Sequence, residues 1–135
     1  MAALTKDRNT KSRAGVDFND PAAAAKVFYV GAIVCLDAAG NATPGATATT
    51  LKARGVVQEN VDNSAGAAGD VSVPSRRGVF LLANSAAGDL IARADIGASC
   101  YIVDDQTVAK TNGTSTRSVA GIIRDVDTAG VWVEI

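Results

Sequence analysis

Acidic side chains occur as two close pairs that could do chemistry. Asp104 and Asp105 are adjacent, and Asp125 and Asp127 are separated by a single residue. Paired carboxylates can bind Ca²⁺, or can divide the roles of acid and base in a hydrolase. Both pairs fall where the sequence predicts the tips of β-hairpins, and aspartate is favoured in turns for its local hydrogen bonds alone. The pairs are therefore interpreted as turn residues, with a metal site and a glycosidase-like site as alternatives.

The stretch VDNSAGAAGDV, residues 61–71, is the part of the chain that most resembles a ligand-binding loop. A phosphate-binding loop needs glycines that lead into a helix, whose N–H groups and dipole meet the anion. Here the glycines lead into VSVPS, whose alternation and proline predict a strand. The stretch contains no Lys or Arg and carries Asp62 and Asp70, which would repel an anion. It is therefore predicted to be a hairpin loop, whose small residues suit exposure to solvent or contact with another chain.

Other residues that could carry catalysis or hold a cofactor are few. The chain has no histidine, which excludes a catalytic triad with a His base and a His-ligated metal. Cys35 and Cys100 each lie in an apolar run, which favours two reduced core thiols, with a disulfide between them as the alternative. The prediction is a protein that is not an enzyme and has no cofactor, no metal and no small-molecule substrate.

Charge is divided unevenly along the chain. The formal net charge is −1, but residues 1–15 carry a net charge of +3 and the remaining residues one of −4. Residues 1–20 have no apolar periodicity and no apolar segment of a secretory signal, so they predict an extended basic arm, with a disordered tail as the alternative. The arm is short and lacks interleaved aromatic residues, which argues against a specific nucleic-acid partner, whereas an acidic protein surface fits it. The longest apolar run, VFYVGAIVCL, is too short to cross a bilayer, so a protein without a membrane partner and made in the cytosol is expected.

Residues 21–135 predict a single all-β body domain. Short runs rich in Val, Ile and aromatic residues recur with turn residues between them, which predicts about six to eight strands. This pattern is typical of a small β-barrel or β-sandwich of short antiparallel strands. At most one short helix is expected, in AAGDLIARADIGA, where Gly97 could end it. Gly55 is expected to mark a bulge or a close packing point, and Pro74 an edge or bulged strand.

The body offers a thin core and a few candidate contacts between subunits. Aromatic residues make up only 4% of the chain, and thin cores often gain stability by oligomerisation. Arg76 and Arg77 are either a solvated strand end or the site of an intersubunit salt bridge. Trp132 is either a core residue or an interface anchor, and it alternates with the valines of VWVEI, which face the other side of the last strand.

Several blocks of the chain, taken in order, resemble one protein family. These blocks are LTKDRNTKSRAG, VGAIVCLDAAGNATPG, RGVVQENVDNSAGAAGDVSV, RRGVFLLANS and ADIGASCYIVDDQTVAKTNGTSTRSVAGIIRDVDTAGVWVEI. From Leu4 to Ile135 the chain resembles the small capsid cement or head decoration proteins of tailed phages and prophages, including Mu-like ones. The resemblance rests on many short blocks and on no catalytic signature.

The resemblance implies a β-rich body that binds the outside of an expanded phage capsid. Such proteins commonly form homotrimers that bridge neighbouring subunits of the major capsid protein, so a virion protein made in the host bacterial cytoplasm is expected. The family has no catalytic residues to carry over. By position, the capsid contacts are expected in the arm, at Thr5, Lys6, Arg8, Asn9, Lys11 and Arg13.

Two further functions stay open as alternatives. The first is a head-fibre or tail-associated binding module, in which loops 61–70 and 111–117 recognise a host surface ligand. The second is a hydrolase that uses the paired aspartates described above.

Overall fold

The structure, a computed structural model, describes residues 2–135 as three antiparallel sheets. The strands are β1 (Asp17–Pro21), β2 (Lys26–Phe28), β3 (Ile33–Leu36), β4 (Ala42–Pro44), β5 (Lys52–Val57), β6 (Val61–Asn63), β7 (Ser72–Arg76), β8 (Val79–Leu82), β9 (Ser99–Ile102), β10 (Val108–Ala109), β11 (Val119–Asp127) and β12 (Gly130–Glu134). The first sheet has the order β1-β7-β5-β3-β4, the second has the order β10-β9-β11-β12-β8, and β2 pairs with β6. The all-β prediction is confirmed, with more and shorter strands than the pattern suggested.

The arrangement is sandwich-like and does not close into a barrel. Within residues 2–135, β8 and β10 are opposite edges of the second sheet, and they meet only where Ala83 bridges Thr107. The predicted arm ends earlier than Asp20, because Asp17–Pro21 already pairs with Ser72–Arg76. Residues 2–16 form no strand, and all of them are exposed.

Strand β3 is shared by two hydrophobic cores. Its Ile33 and Cys35 belong to the larger core, which the inward side chains of the second sheet complete. Its Val34 belongs to a smaller core with Phe28 of β2 and Val57 of β5. The chain is therefore layered, with the first sheet between the second sheet and the β2–β6 ribbon. Burial on both faces explains why β3 is a continuous apolar run and does not alternate.

The longest apolar run, VFYVGAIVCL, is divided by a turn. Tyr29 and Val30 are 62% and 59% exposed, between a buried Phe28 and a buried Ile33. Gly31 has a φ of +89°, a left-handed value that glycine adopts without the penalty of a Cβ atom. The two halves consequently join different sheets.

Gly55 lies at a register shift, as its position in the sequence predicted. Val34 is opposite Gly55, whereas the next residue of β3, Cys35, is opposite Ala53, so Arg54 is the extra residue of a bulge. A Cβ atom on Gly55 would overlap the carbonyl oxygen of Arg76 on β7. Glycine is therefore required here because two backbones approach closely.

The prediction that Pro74 marks an edge or bulged strand is wrong. Strand β7 lies inside the first sheet, between β1 and β5. Only Val56 and Val57 of β5 pair with β7. Directly after them, Gln58 N donates a hydrogen bond to the carbonyl of Pro74 (3.0 Å). The donor that proline lacks thus falls at the end of this ladder, where its loss is tolerated.

The expected short helix is replaced by two 3-10 helices, Ala87–Asp89 and Arg93–Asp95. Between them Ile91 is buried, and the side chain of Asn84 accepts a hydrogen bond from its N–H (3.0 Å) and donates one to its carbonyl (2.8 Å). Gly97 follows with a φ of +95°, consistent with its expected role after a helical turn.

Candidate interaction surface at the root of the arm

The arm carries cations that form no salt bridge within residues 2–135. Among residues 2–135 there are six salt bridges, and none involves Lys6, Arg8, Lys11 or Arg13. Thr5 and Asn9 are exposed beside them. The six capsid-contact candidates therefore lie on one exposed segment that forms no strand or helix, and their role as contacts stays a prediction.

The root of the arm is fixed to the body by β1. The carbonyl of Val16 accepts a hydrogen bond from Arg77 N (2.9 Å), directly beyond the first pair of the β1–β7 ladder. On β1, Asp20 binds Nε of Arg54 (2.8 Å), and this guanidinium lies 3.7 Å from the ring centroid of Phe18. Stacking on an aromatic face and pairing with a carboxylate both favour a fixed Arg54. The arm therefore leaves the body at a defined point.

The two arginines of the doublet have different environments. Arg76 donates from Nε to Asp17 Oδ1 (2.8 Å), and this hydrogen bond lowers the pKa of the Asp17 carboxyl, although partial desolvation opposes the effect. An intersubunit salt bridge by Arg76 would have to compete with this pair. Arg77 forms none of the salt bridges in residues 2–135, so it is the member of the doublet that is free to bind a carboxylate elsewhere.

Trp132 lies on the outer face of the second sheet and not in a core. It is half-buried, and its Nε1 donates to Asp127 Oδ2 (3.0 Å). It stands opposite Leu81 of β8, which is 41% exposed, and Val79 beside it is 47% exposed. The core interpretation of Trp132 is therefore wrong, and its role as an interface anchor stays a prediction. The predicted alternation of the last strand is confirmed, because Val131 and Val133 are both buried on the face opposite Trp132.

These features share one region of the molecule. The arm root contacts Arg77, and β8 begins two residues later at Val79. Strand β8 then runs beside Trp132 on β12. The fold thus places the root of the arm at Arg77, at the start of the strand that pairs with Trp132. Sequence reasoning did not identify the apolar strand β8 as part of a candidate interaction surface. Its position at a sheet edge depends on long-range strand pairing, which the local sequence does not show.

The glycine-rich stretch is a fixed connection and not a hairpin. It leads from β6, which pairs with β2, to β7 in the first sheet. The buried Asn63 donates from Nδ2 to the carbonyls of Ala23 (2.9 Å) and Ala67 (3.1 Å). Asp70 Oδ2 accepts from Ala67 N (2.9 Å), so the carboxylate closes the loop on itself. No helix begins at these glycines.

The paired aspartates are turn and salt-bridge residues. Asp104 Oδ1 accepts from the N–H groups of Gln106 (2.9 Å) and Thr107 (2.7 Å) at the predicted tip. Asp125 pairs with Arg93 (2.9 Å). The hydrogen bond from Trp132 lowers the pKa of the Asp127 carboxyl, and the hydrogen bond from Ala129 N lowers it further. Within residues 2–135, no group of three or more His, Cys, Asp or Glu side chains could hold a metal ion.

Loop 111–117 is held against the first 3-10 helix. Thr111 Oγ1 donates to Asp89 Oδ1 (2.5 Å), and Arg117 Nη1 donates to Asp89 Oδ2 (3.2 Å). The hydrogen bond from Thr111, more than that from Arg117, lowers the pKa of Asp89. A host-ligand role for this loop and for loop 61–70 stays a prediction.

Both cysteines are free and buried in the larger core. Burial raises the pKa of the Cys35 thiol to about 12. It raises that of Cys100 to about 11. Both thiols are therefore protonated at neutral pH and act as small apolar core groups, as the preferred interpretation of the sequence expected.

Acid is expected to destabilise the fold. Hydrogen bonds hold the pKa values of five carboxyls below the ordinary 3.8, namely those of Asp17, Asp62, Asp89, Asp95 and Asp127. These carboxyl pKa values are lower in the folded protein than in the unfolded chain. The stability that the carboxylates contribute is therefore fully present above the pKa of the unfolded chain, and it is lost as the pH falls through the pKa values of the folded protein. We expect the free energy of unfolding, measured with urea, to change little between pH 7 and 5 and to decrease between about pH 4 and 2. The Asp127→Asn variant should lose less stability on acidification, and equal wild-type stability at pH 7 and 2 would contradict the assignment.

Comparison of the chain with protein-family models, curated proteins and solved structures found no match. No helix within residues 2–135 has the length and hydrophobicity needed to cross a membrane.

Proposed function

We propose that this protein is a decoration protein of a tailed-phage head, which binds the outer surface of the major capsid protein and stabilises the shell across subunit joints. The sequence resemblance from Leu4 to Ile135 supports the choice of family. The observation that carries the proposal is the exposed basic arm, whose four cations have no partner in residues 2–135.

An arm of this kind suits a contact across a joint. The fifteen residues 2–16, fully extended, span at most about 50 Å. The arm is anchored at Val16, so its free part can follow a neighbouring surface while the body stays in place. Its cations favour a surface that presents carboxylates, and such contacts gain from electrostatic attraction during encounter.

The body supports the proposal by its internal charge pairing. Six of its basic side chains are engaged in salt bridges with its own carboxylates. The arm is therefore the part of the chain where positive charge is concentrated and uncompensated. Weak contacts of this sort become effective on a repeating shell when linked copies bind together, because each further contact is intramolecular.

Charge reversal in the arm is expected to weaken binding to capsids without unfolding the body. We expect Lys6→Glu with Arg8→Glu to reduce binding to expanded, undecorated capsids by about tenfold or more, measured by co-sedimentation at low ionic strength. The matched control is Lys26→Glu with Lys52→Glu, which makes the same change of net charge at two exposed body lysines that form no salt bridge with residues 2–135.

The control should bind as the wild type does, and circular dichroism should show that both variants are folded. Equal binding by the arm variant and the wild type would contradict the role of the arm. Absence of the protein from purified particles, measured by quantitative mass spectrometry, would contradict the proposed function itself.

A further inference from the structure

The turn between β2 and β3 is an exposed apolar surface on the body. Tyr29 and Val30 of this turn are 62% and 59% exposed. Val30 N donates to Asn60 Oδ1 (2.8 Å), and directly after the turn Ile33 N donates to the carbonyl of Asp105 (2.7 Å). Two other segments of the chain therefore hold residues 29–31, the apex, in a fixed position.

Two grooves flank the apex, and Tyr29 lines both of them. Asp62 lines one groove and Asp105 the other, and no Lys or Arg of residues 2–135 lines either. These two carboxylates, and those of the neighbouring Glu59 and Asp104, form no salt bridge within the described part of the chain. The apex therefore combines an exposed aromatic ring with negative charge that the body does not pair.

The beginning of the arm is complementary to this surface. In an extended segment alternate residues share a face, so Leu4, Lys6 and Arg8 lie on one face and Asp7 on the other. Leu4 is 72% exposed, and neither Lys6 nor Arg8 forms a salt bridge in residues 2–135. One face of the arm thus offers an apolar side chain and two cations, without the acidic side chain of Asp7.

We propose that the apex binds residues 4–8 of the arm of a second copy. Leu4 packs against the ring of Tyr29, and the two cations pair with the carboxylates that line the grooves. A guanidinium also gains from lying over an aromatic face, which Tyr29 provides. The rest of the arm stays outside this contact, so Lys11 and Arg13 remain available to a capsid surface.

Charge complementarity within one chain selects a second copy as the occupant. The unpaired cations of the arm and the unpaired carboxylates of the apex are present in equal number of copies whenever the protein meets itself. The arm of the same copy does not fill the site, because residues 2–15 are all exposed and none of them lines either groove. An arm of fifteen residues, up to about 50 Å long, can reach a neighbour while its root at Val16 stays bound. The contact joins two unlike surfaces, so it can close as a pair or as a ring.

Sedimentation equilibrium of the full-length chain, without capsids, tests the inference. We expect self-association at low ionic strength and its loss near 1 M salt, where the Debye length is only about 3 Å. A monomeric wild type, or association that high salt leaves unchanged, would overturn the inference. Because no capsid is present, that failure would leave the proposed function standing. A monomeric wild type whose capsid binding depends on the apex would make the capsid protein the occupant instead.

Neutral substitutions at the apex test the charge pairing. Asp62→Asn with Asp105→Asn should raise the dissociation constant of self-association by about tenfold or more, because both partners of the arm cations are lost. The amide oxygen at position 62 can still accept the hydrogen bond from Ser64 N, so the turn is kept. Asp37→Asn with Asp70→Asn is the matched control, since these carboxylates line neither groove and form no salt bridge in residues 2–135. Equal dissociation constants for the two double variants would contradict the site.

A mixing experiment shows whether the contact joins two copies. Lys6→Gln with Arg8→Gln removes the charges of the arm segment and should weaken self-association as the apex variant does. A mixture of this arm variant with Asp62→Asn, Asp105→Asn should associate more tightly than either protein alone. The reason is that the intact arm of one then meets the intact apex of the other. A mixture that associates no better than its components would overturn the exchange between copies.

The aromatic part of the site has its own test. Tyr29→Ala should raise the dissociation constant by about tenfold, because it removes the ring against which Leu4 packs. Val119→Ala is the control, since Val119 is 49% exposed but lies on the second sheet, outside both grooves. Equal effects of the two substitutions would contradict the contact with Tyr29.

Discussion

Replacing Gly55 with alanine is expected to lower the free energy of unfolding by about 2–3 kcal/mol, because the added methyl group enters space that backbone already occupies. The new Cβ atom would overlap the carbonyl oxygen of Arg76 and would lie 2.7 Å from its carbonyl carbon and 3.1 Å from Arg77 N. A flexible side chain could move away, but these are main-chain atoms of β7. The strand would have to shift at the point where it holds the root of the arm. Urea denaturation at neutral pH measures the effect.

Gly88→Ala is the control for this prediction. A Cβ atom on Gly88 would meet nothing within 4 Å. Gly88 also shows no left-handed φ. The control should therefore change stability by less than about 0.5 kcal/mol. Equal effects of the two substitutions would mean that β5 and β7 are not in the close contact described here.

Replacing Phe28 with alanine is expected to lower the free energy of unfolding by about 3–5 kcal/mol. Phe28 is 1% exposed and is the largest side chain of the smaller core, which consists otherwise of valine and alanine. Such small neighbours cannot collapse into the space that the ring leaves. Differential scanning calorimetry or urea denaturation measures the loss.

The adjacent aromatic residue provides the matched comparison. Tyr29 is 62% exposed, so Tyr29→Ala removes a ring of similar size without opening a cavity. We expect a change below about 1 kcal/mol for this variant. A loss as large as that of Phe28→Ala would contradict the turn that divides VFYVGAIVCL. Because β3 belongs to both cores, Phe28→Ala should also keep a single transition, with no separate unfolding of the ribbon.

Sequence patterns predicted those features that depend on neighbouring residues. The alternation of VWVEI predicted that Val131 and Val133 share one face, which is the buried one, and Asp104 marked a turn through hydrogen bonds to residues close behind it. The basic arm followed from its charge and its lack of periodicity. Each of these is decided within a few residues of chain.

Features that depend on distant pairing could not be predicted in the same way. The apolar run 27–36 is uniformly apolar, but its two halves belong to different sheets. Strand β2 is in the two-stranded ribbon and β3 is in the first sheet. Pro74 suggested an edge, yet the neighbours of β7 are β1 and β5, and its lost hydrogen bond falls at the end of a ladder. Trp132 suggested a core residue, but its face of β12 is set by register with Leu81. Sequence reasoning therefore identified candidate surface residues without showing that the arm root contacts Arg77.

The double burial of β3 has a consequence for the tolerance of substitutions. Most strands of this protein have an exposed side on which a polar residue can replace an apolar one at little expense in stability. Ile33, Val34 and Cys35 face two different cores in turn, so none of these three consecutive positions offers such a side. Variation among functional sequences of this fold should accordingly be confined here to apolar residues of similar volume, while the arm and the loops change freely around it.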